Sequence, residues 1–151
     1  MNSCPCGTKR LFSNCCEPYL NGTRIAETPE ILMRSRYTAY SLARIDYIVK
    51  TIRKIAAENY NADSARTWAM SVTWLGLTVI NTSILSENKG TVTFFARFLD
   101  QGIKKYIFEK SDFEKINDEW FYVDGREPTI NRNEHCPCGS GKKSKRCCLK
   151  S

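Results

Sequence analysis

Near its end the chain reads Cys136-Pro137-Cys138-Gly139-Ser140-Gly141-Lys142-Lys143-Ser144-Lys145-Arg146-Cys147-Cys148, a stretch that decides how both ends of the protein fold. Its four cysteines have the spacing C-x-C-x8-C-C. The same spacing opens the chain, with Cys4-Pro5-Cys6-Gly7 followed by Cys15-Cys16. All 8 cysteines of the protein belong to these two sets. We therefore expect each set of four thiols to act as one unit.

Four thiolates are the ligand set of a closed, tetrahedral, structural zinc site. Pro137 restricts the backbone between the first two cysteines, and Gly139 and Gly141 allow the chain to turn around an ion. The eight residues between Cys138 and Cys147 form a segment long enough to bring the second cysteine pair back to the first. We predict two structural zinc ions, held by Cys4, Cys6, Cys15 and Cys16 and by Cys136, Cys138, Cys147 and Cys148.

Other uses of the thiols remain open. Disulfides need an oxidising compartment, but Met1-Asn2-Ser3 leads straight into the first motif and leaves no room for a secretory leader. A redox dithiol usually has the spacing C-x-x-C near a βαβ unit, whereas four thiolates also suit an iron–sulfur cluster. The N-terminal set has Thr8-Lys9-Arg10 in place of Ser140-Gly141-Lys142, so it lacks the second glycine. His135, which precedes the C-terminal set, is an alternative ligand there.

Residues 136–143 followed by Cys147-Cys148 resemble the SEC-C motif, the zinc module at the C-terminus of the SecA translocation ATPase. A copy at each end of the chain resembles the arrangement of the bacterial YchJ-type family. Further shared stretches are Leu32-Met33-Arg34-Ser35-Arg36-Tyr37, Trp74-Leu75-Gly76-Leu77 and Trp120-Phe121-Tyr122-Val123-Asp124-Gly125. The resemblance spans nearly the whole chain and implies zinc binding. It implies little about activity, because that family is described mainly by its zinc motifs.

Length and composition indicate one ordinary domain with small appendages. The chain has 151 residues, of which 42% are hydrophobic and 11% aromatic, which is enough to form a buried core. No apolar run approaches the roughly 20 residues that a membrane-spanning helix needs. Because eight reduced cysteines without a leader are typical of a reducing compartment, we expect a cytoplasmic protein with no membrane association.

The positive charge of the chain is concentrated at its two ends. The formal net charge is +7, yet residues 17–131 carry 15 basic and 15 acidic side chains and are neutral. Four thiolates on each zinc ion would offset part of the basic charge. The net charge therefore gives only limited support to nucleic-acid binding.

The middle of the chain changes from helical to strand periodicity. Thr28-Pro29-Glu30 is a typical helix start, and the helix is predicted to run to about Ala43. Two shorter helices are predicted at Tyr47 to about Ile52, capped by Asp46, and at Ser64 to about Met70. Four strands separated by Gly, Asn and Asp turns follow, which predicts an antiparallel meander. They span residues 75–85, 91–99, 103–116 and 119–124.

Helices followed by a curved antiparallel sheet predict the α+β class, a cone-like α+β roll with a small zinc module at each terminus. This order is similar to the SnoaL-like fold, also called the nuclear transport factor two-like (NTF2-like) fold. We divide the chain into an N-terminal zinc module (1–20), a central roll (24–128) and a C-terminal zinc module (132–151).

The resembled fold often encloses a pocket between its helices and its sheet. Inward-facing polar residues of such a pocket are predicted to include Arg97, Glu109 and Tyr122. Arg34 and Arg36 flank the apolar stripe of the first helix. They are either solvated, or one of them points into a cavity or braces a zinc module.

Three functions are compatible with these features. The first is a non-catalytic adaptor, in which Lys142, Lys143, Lys145 and Arg146 bind an acidic protein or ribosomal surface. The similar module of SecA implies contacts with the SecB chaperone and with ribosomes. The second is a small-molecule carrier or enzyme whose ends are held by structural zinc. The third is nucleic-acid binding through the basic tail.

Enzymatic activity stays open, but some chemistries are disfavoured. The only histidine, His135, adjoins the second motif, so the central domain cannot hold a Ser-His-Asp or Cys-His nucleophilic site. A closed four-ligand zinc site also leaves no position for an activated water. The sequence does not identify a partner, a ligand or an oligomeric state.

Overall fold

The computed structural model describes residues 2–150 and shows an α+β architecture, as predicted. Its five helices are α1 (Glu17–Leu20), α2 (Pro29–Ser41), α3 (Ile45–Lys50), α4 (Lys54–Glu58) and α5 (Ala62–Ser71). Its four strands are β1 (Val72–Ser86), β2 (Lys89–Asp100), β3 (Ile103–Ile116) and β4 (Glu119–Arg126). One short 3₁₀ turn lies in each cysteine-rich end, at Phe12–Asn14 and at Ser144–Arg146.

Helix α2 begins where the sequence predicts. The Thr28 side chain accepts a hydrogen bond from the backbone N–H of Ile31 at 3.1 Å, and Pro29 occupies the first turn. The helix ends at Ser41, two residues before the predicted end, because Ala43 adopts a left-handed backbone with φ of +55°.

The shorter helices differ from the prediction in how they begin. Asp46 does not cap α3. It lies inside the first turn and pairs with Arg44 at 3.3 Å. Helix α5 starts two residues early because Asn61 caps it, accepting a hydrogen bond from the Ser64 N–H at 2.9 Å. Helices α1 and α4 were not predicted, since four and five residues carry no visible periodicity.

The four strands form one antiparallel sheet in the order β1-β2-β3-β4, which confirms the meander. Three of the strands extend one to three residues beyond their predicted ends. The register shifts by one residue in β1 between Trp74 and Gly76 and in the β3–β4 pair between Asp112 and Phe113. Such bulges bend and twist a sheet, so they contribute to its curvature.

The two faces of the sheet are covered differently. Val92, Ala96 and Phe98 are buried on the face that packs against the helices. Phe95 points to the other face and is also fully buried, with Tyr106 stacked on it at 4.9 Å between ring centroids. The outer face therefore has a cover of its own.

Within residues 2–150, no helix has both the length and the apolar character needed to cross a bilayer. The division of the chain into two zinc modules (1–20 and 132–151) and a central roll (24–128) stays a prediction.

Candidate metal centres and central cavity

The two cysteine sets each form a tight cluster of sulfur atoms. In both clusters the four Sγ atoms lie within 4.8 Å of one another. Cys6 and Cys15 are 3.5 Å apart, and so are Cys138 and Cys147. Zinc–sulfur bonds of about 2.3 Å in a tetrahedron place sulfur atoms about 3.8 Å apart, so the clusters have the size that a metal requires. All eight cysteines lie in the described range, and none forms a disulfide.

The two cysteine modules, defined here as residues 2–16 and 134–148, have the same backbone hydrogen bonds. The N–H of Cys4 donates to Arg10 O at 2.7 Å, and the N–H of Cys136 donates to Lys142 O at 2.8 Å. The bridge between Ser3 and Leu11 has its counterpart between His135 and Lys143. Both modules therefore fold in the same way around their sulfur atoms.

His135 is not part of the second sulfur cluster. It occupies the position of Ser3 in the first module, and its Nδ1 lies 3.2 Å from the carbonyl oxygen of Gly141. The ligand atoms that converge in this module belong to Cys136, Cys138, Cys147 and Cys148. The alternative of a histidine ligand is therefore not supported.

The thiols of the first module oppose one another electrostatically. A hydrogen bond from the Cys16 thiol lowers the pKa of Cys6 to about 4, and the same bond raises the pKa of Cys16. Burial raises the pKa of Cys15. One thiolate is thus stabilised while further thiolates are disfavoured, and a bound divalent cation removes that repulsion. Four sulfur donors without oxygen ligands are the chemistry that zinc prefers.

The N-terminal module packs against helix α2. The Arg34 Nη1 group donates to the carbonyl oxygen of Cys6 at 2.7 Å, while its Nε group donates to Glu30 at 2.9 Å. Cys4 Sγ lies 3.7 Å from Thr38 Oγ1. Of the three roles considered for Arg34, the structure shows the brace of a cysteine module.

The C-terminal module packs on the outer face of the sheet. The Thr78 hydroxyl on β1 donates to the carbonyl oxygen of Cys138 at 3.1 Å. Burial raises the pKa of Tyr106, and Glu127 and the nearby cysteines Cys148 and Cys136 raise it further. The predicted partner-binding side chains Lys142, Lys143 and Arg146 are exposed, and Lys145 is half-buried.

A cavity of about 190 Å³ lies between α2, α5 and the inner face of the sheet. Glu109 and Tyr122 line it, in the positions proposed from the sequence. Arg97 does not, which corrects the prediction. It alternates with the inward Ala96, so it points to the outer face and is exposed. The other lining residues are Met33, Arg36, Tyr37, Tyr40, Trp68, Trp74, Phe94, Ala96, Ile107, Ser111 and Phe113.

A hydrogen-bond network holds Glu109 at the cavity wall. Its Oε2 atom accepts hydrogen bonds from Ser111 Oγ at 2.6 Å and from Tyr122 Oη at 3.0 Å. Gly125 on β4 leaves room for this network, since a Cβ atom there would lie 2.5 Å from Tyr122 Oη and 2.6 Å from Glu109 Cδ. Burial raises the pKa of Tyr122, and the Glu109 carboxylate raises it further. Tyr122 therefore stays a hydrogen-bond donor.

Arg36 is the second charged group at the cavity, and it is 8% exposed. Its Nη1 atom donates to Thr51 Oγ1 at 2.6 Å and to Ile48 O at 3.2 Å, and its Cζ lies 4.7 Å from the ring centroid of Tyr122. The sequence raised Arg36 only as an alternative to a solvated arginine. Its spacing was the signal that could have decided the matter, because Arg36 lies three residues from Met33 and from Ala39 and so falls on the apolar stripe of α2.

Comparisons with known proteins agree with this architecture. The family model "YchJ, middle NTF2-like domain" matches residues 28–125, and the SEC-C motif model matches residues 132–150. The chain is 44% identical to the UPF0225 protein YchJ of Shigella dysenteriae, over 96% of both chains.

The chain belongs to the YchJ family. A UPF0225 protein of Geobacter sulfurreducens is 41% identical to it, over 97% of this chain and 98% of the relative. Of the two cysteine modules, the SEC-C model matches the C-terminal one. The central domain is NTF2-like, as the order of its elements predicted.

Two solved structures share the fold. A SEC-C motif containing protein from Rhodopseudomonas palustris is 38% identical to this chain and superposes with a TM-score of 0.77. The match covers 85% of this chain and 100% of the other. A sec-c motif containing protein from Psychrobacter arcticus has 32% identity and a TM-score of 0.74, over 99% of this chain and 96% of the other.

Proposed function

We propose that this protein binds a small molecule in the cavity of its NTF2-like domain, and that structural zinc ions in both cysteine modules hold the walls of that cavity. The N-terminal module then acts as a second SEC-C-type zinc module. The observation that carries the proposal is a mostly apolar cavity that is lined by two charged side chains, Arg36 from α2 and Glu109 from β3. Apolar walls with a few convergent polar groups are typical of ligand sites.

The polar groups of the cavity are ordered before any ligand arrives. Arg36 is held by Thr51 and Ile48, and Glu109 is held by Ser111 and Tyr122. A preorganised site avoids the entropic cost of fixing these side chains on binding. The arrangement therefore supports binding better than it supports a purely structural core.

The cysteine modules support this cavity from two sides. Arg34 and Thr38 contact the N-terminal module, and both lie on α2, which also carries Arg36 into the cavity. Thr78 contacts the C-terminal module from β1, the strand that carries the cavity residue Trp74. Zinc in either module would therefore stabilise an element of the cavity wall.

Phenol is a suitable first probe, because an engineered cavity of about 150 Å³ holds benzene. We expect phenol to shift the indole N–H signals of Trp68 and Trp74 in NMR spectra of the zinc-loaded protein. The variant Ala96→Phe fills the cavity and should abolish these shifts. Arg97→Phe adds the same ring on the outer face and should keep them. Shifts that persist in Ala96→Phe would contradict the proposal.

An adaptor role for the C-terminal module is the second candidate. Lys142, Lys143 and Arg146 are exposed, and within residues 2–150 none of them forms a salt bridge. Unpaired basic side chains of this kind suit an acidic protein or ribosomal surface. A nucleic acid is the alternative partner, recognisable by a steep salt dependence of binding.

This candidate can be tested with purified ribosomes and with a poly-glutamate peptide. Lys142→Glu combined with Lys143→Glu should abolish binding to both. Lys104→Glu combined with Lys105→Glu makes the same charge change on the hairpin between β2 and β3 and should leave binding intact. Equal loss in both double variants would show a general charge effect and reject this surface.

A further inference from the structure

We infer that the ligand of the central cavity is a small zwitterion, an α-amino acid with an apolar side chain, whose carboxylate meets Arg36 and whose ammonium group meets Glu109. The inference rests on the proposed small-molecule function and names the chemical class of its ligand. Three features support the inference. Arg36 is a buried cation that is incompletely paired, Glu109 is an anion with a free oxygen, and Tyr122 lies between the two.

Arg36 is a buried cation whose protein partners are all neutral. Within residues 2–150 no carboxylate lies within 4.0 Å of it, and the hydrogen bonds of its guanidinium group involve Nη1 alone. Burying a charge without an opposite charge is unfavourable. Because Arg36 lines the cavity, its remaining N–H groups can reach a ligand there. A guanidinium group with free N–H donors is suited to a carboxylate.

Glu109, on the sheet side of the cavity, is an anion with one carboxylate oxygen free to bind a ligand. Both hydrogen bonds that it receives, from Ser111 and from Tyr122, end on Oε2. Within the described residues, no donor reaches Oε1. A carboxylate oxygen left free beside an apolar cavity suits an ammonium group or another N–H donor.

Tyr122 links the two charged groups and keeps them apart. The Arg36 guanidinium packs over the face of the Tyr122 ring, and the Tyr122 hydroxyl donates to Glu109, so Tyr122 lies between the two charges. Arg36 and Glu109 form no direct ion pair within 4.0 Å. A ligand beside Tyr122 can therefore meet the cation over the ring and the anion at the hydroxyl.

The charges of the cavity select against ligands with a single charge. A simple carboxylate gains from Arg36 but is repelled by Glu109, and a simple amine experiences the reverse. A zwitterion satisfies both groups and leaves the site neutral, which lowers the cost of desolvation. Its apolar side chain can lie against Trp68 and Trp74, whose rings meet edge to face at 5.2 Å.

Three matched probes test the inference on the unaltered, zinc-loaded protein: L-leucine, 4-methylpentanoate, which lacks the amine, and 3-methylbutylamine, which lacks the carboxylate. Affinities are measured by titration calorimetry. We expect L-leucine to bind at least about tenfold more tightly than either singly charged probe, since each lost charged hydrogen bond is worth about tenfold or more. Equal or tighter binding of a singly charged probe overturns the inference.

A conservative variant adds a check that does not depend on removing a buried arginine. Glu109→Gln should weaken L-leucine about tenfold and strengthen or leave unchanged the binding of 4-methylpentanoate. Glu87→Gln, in the exposed β1–β2 turn, is the matched control and should change neither affinity. If Glu109→Gln weakens both probes equally, Glu109 does not contact an ammonium group and the inference is wrong.

Failure of this inference is separable from failure of the proposed function. If phenol occupies the cavity and Ala96→Phe excludes it, while L-leucine does not bind, the cavity is a ligand site for another chemical class. If neither phenol nor L-leucine binds, both the proposed function and the inference are wrong.

Discussion

Lys9 and Gly141 occupy equivalent positions in the two cysteine modules and adopt the same left-handed backbone, with φ of +67° and +82°. Each follows a hydroxyl residue, Thr8 or Ser140, whose oxygen lies 3.2 Å or 3.1 Å from a cysteine sulfur. The missing glycine of the first module therefore does not change its fold. The lysine instead carries backbone strain of about 1 kcal/mol.

Lys9→Gly should raise the free energy of unfolding of the zinc-loaded protein by about 0.5 kcal/mol, because relief of strain exceeds the added entropy of the unfolded chain. Gly141→Lys should lower it by about 1 kcal/mol. Urea denaturation at fixed zinc concentration measures both changes. Lys9→Ala removes the side chain but keeps the strain, so a gain in that variant would assign the effect to the side chain instead.

Elemental analysis should find two zinc ions per chain, falling to one in Cys6→Ser and in Cys138→Ser. We expect Cys6→Ser to lower the melting temperature more. Cys4, Cys6 and Cys16 belong to the main hydrophobic core, whereas the second module lies on the outer face of the sheet. Thermal unfolding monitored by circular dichroism compares the two variants. Equal destabilisation would show that the first module is not part of the core in solution.

Arg34→Met should accelerate release of zinc from the N-terminal module, because it removes the hydrogen bond to the carbonyl oxygen of Cys6. We expect the free energy that holds the ion in this module to fall by about 1–2 kcal/mol. Release to a chromogenic chelator is measured in a Cys138→Ser background, where only the first site remains. Arg66→Met, which breaks an exposed ion pair on α5, is the control and should release zinc at the unaltered rate.

Gly125→Ala should destabilise the domain by about 1–3 kcal/mol, because the new methyl group collides with the hydroxyl of Tyr122 and the carboxylate of Glu109. A double-mutant cycle with Tyr122→Phe locates the effect. Removal of the hydroxyl should relieve part of the collision and reduce the cost of the alanine. Additive losses would place the strain elsewhere.

Stability should fall between about pH 10 and pH 12, in part through Tyr37. Burial raises its pKa to about 12, whereas an unfolded tyrosine titrates near 10. The folded state therefore retains the proton more strongly, and this contribution, complete below pH 10, is lost as the pH rises towards 12. Tyr37→Phe should show a shallower decline over this interval in urea denaturation. Parallel curves for the two proteins would contradict the assignment.

Local features of the sequence predicted the elements well, because their causes lie within a few residues. Thr28-Pro29 begins α2 through its own side chain and ring. The strand turns at Gln101-Gly102 and Asn117-Asp118 adopt positive φ angles, which glycine, asparagine and aspartate tolerate best. Helices α1 and α4 were not predicted because both are too short to show a periodicity. The start of α4 also depends on a contact between distant segments, the hydrogen bond from the Arg53 N–H to Tyr122 O at 3.0 Å.

The cavity residues were only partly predictable. Consecutive residues of a strand face opposite sides of the sheet, so the outward position of Arg97, next to the inward Ala96, could have been predicted. Tyr122 could not be placed by alternation alone, because the register of β3 and β4 shifts at Asp112 and Phe113. The proximity of Arg36 to Tyr122 joins a helix to the last strand, which no local pattern records.

The sequence by itself determined the two sulfur clusters, because all the ligands of each one lie within 13 residues and the turns between them are encoded locally. Only the tertiary structure decided where those clusters sit and what the domain encloses. Arg34 and Thr78 meet the modules through contacts over 28 and 60 residues. Arg36 and Glu109 come to one cavity only after α2 packs across the sheet. Such positions depend on strand register and packing, which are properties of the whole chain.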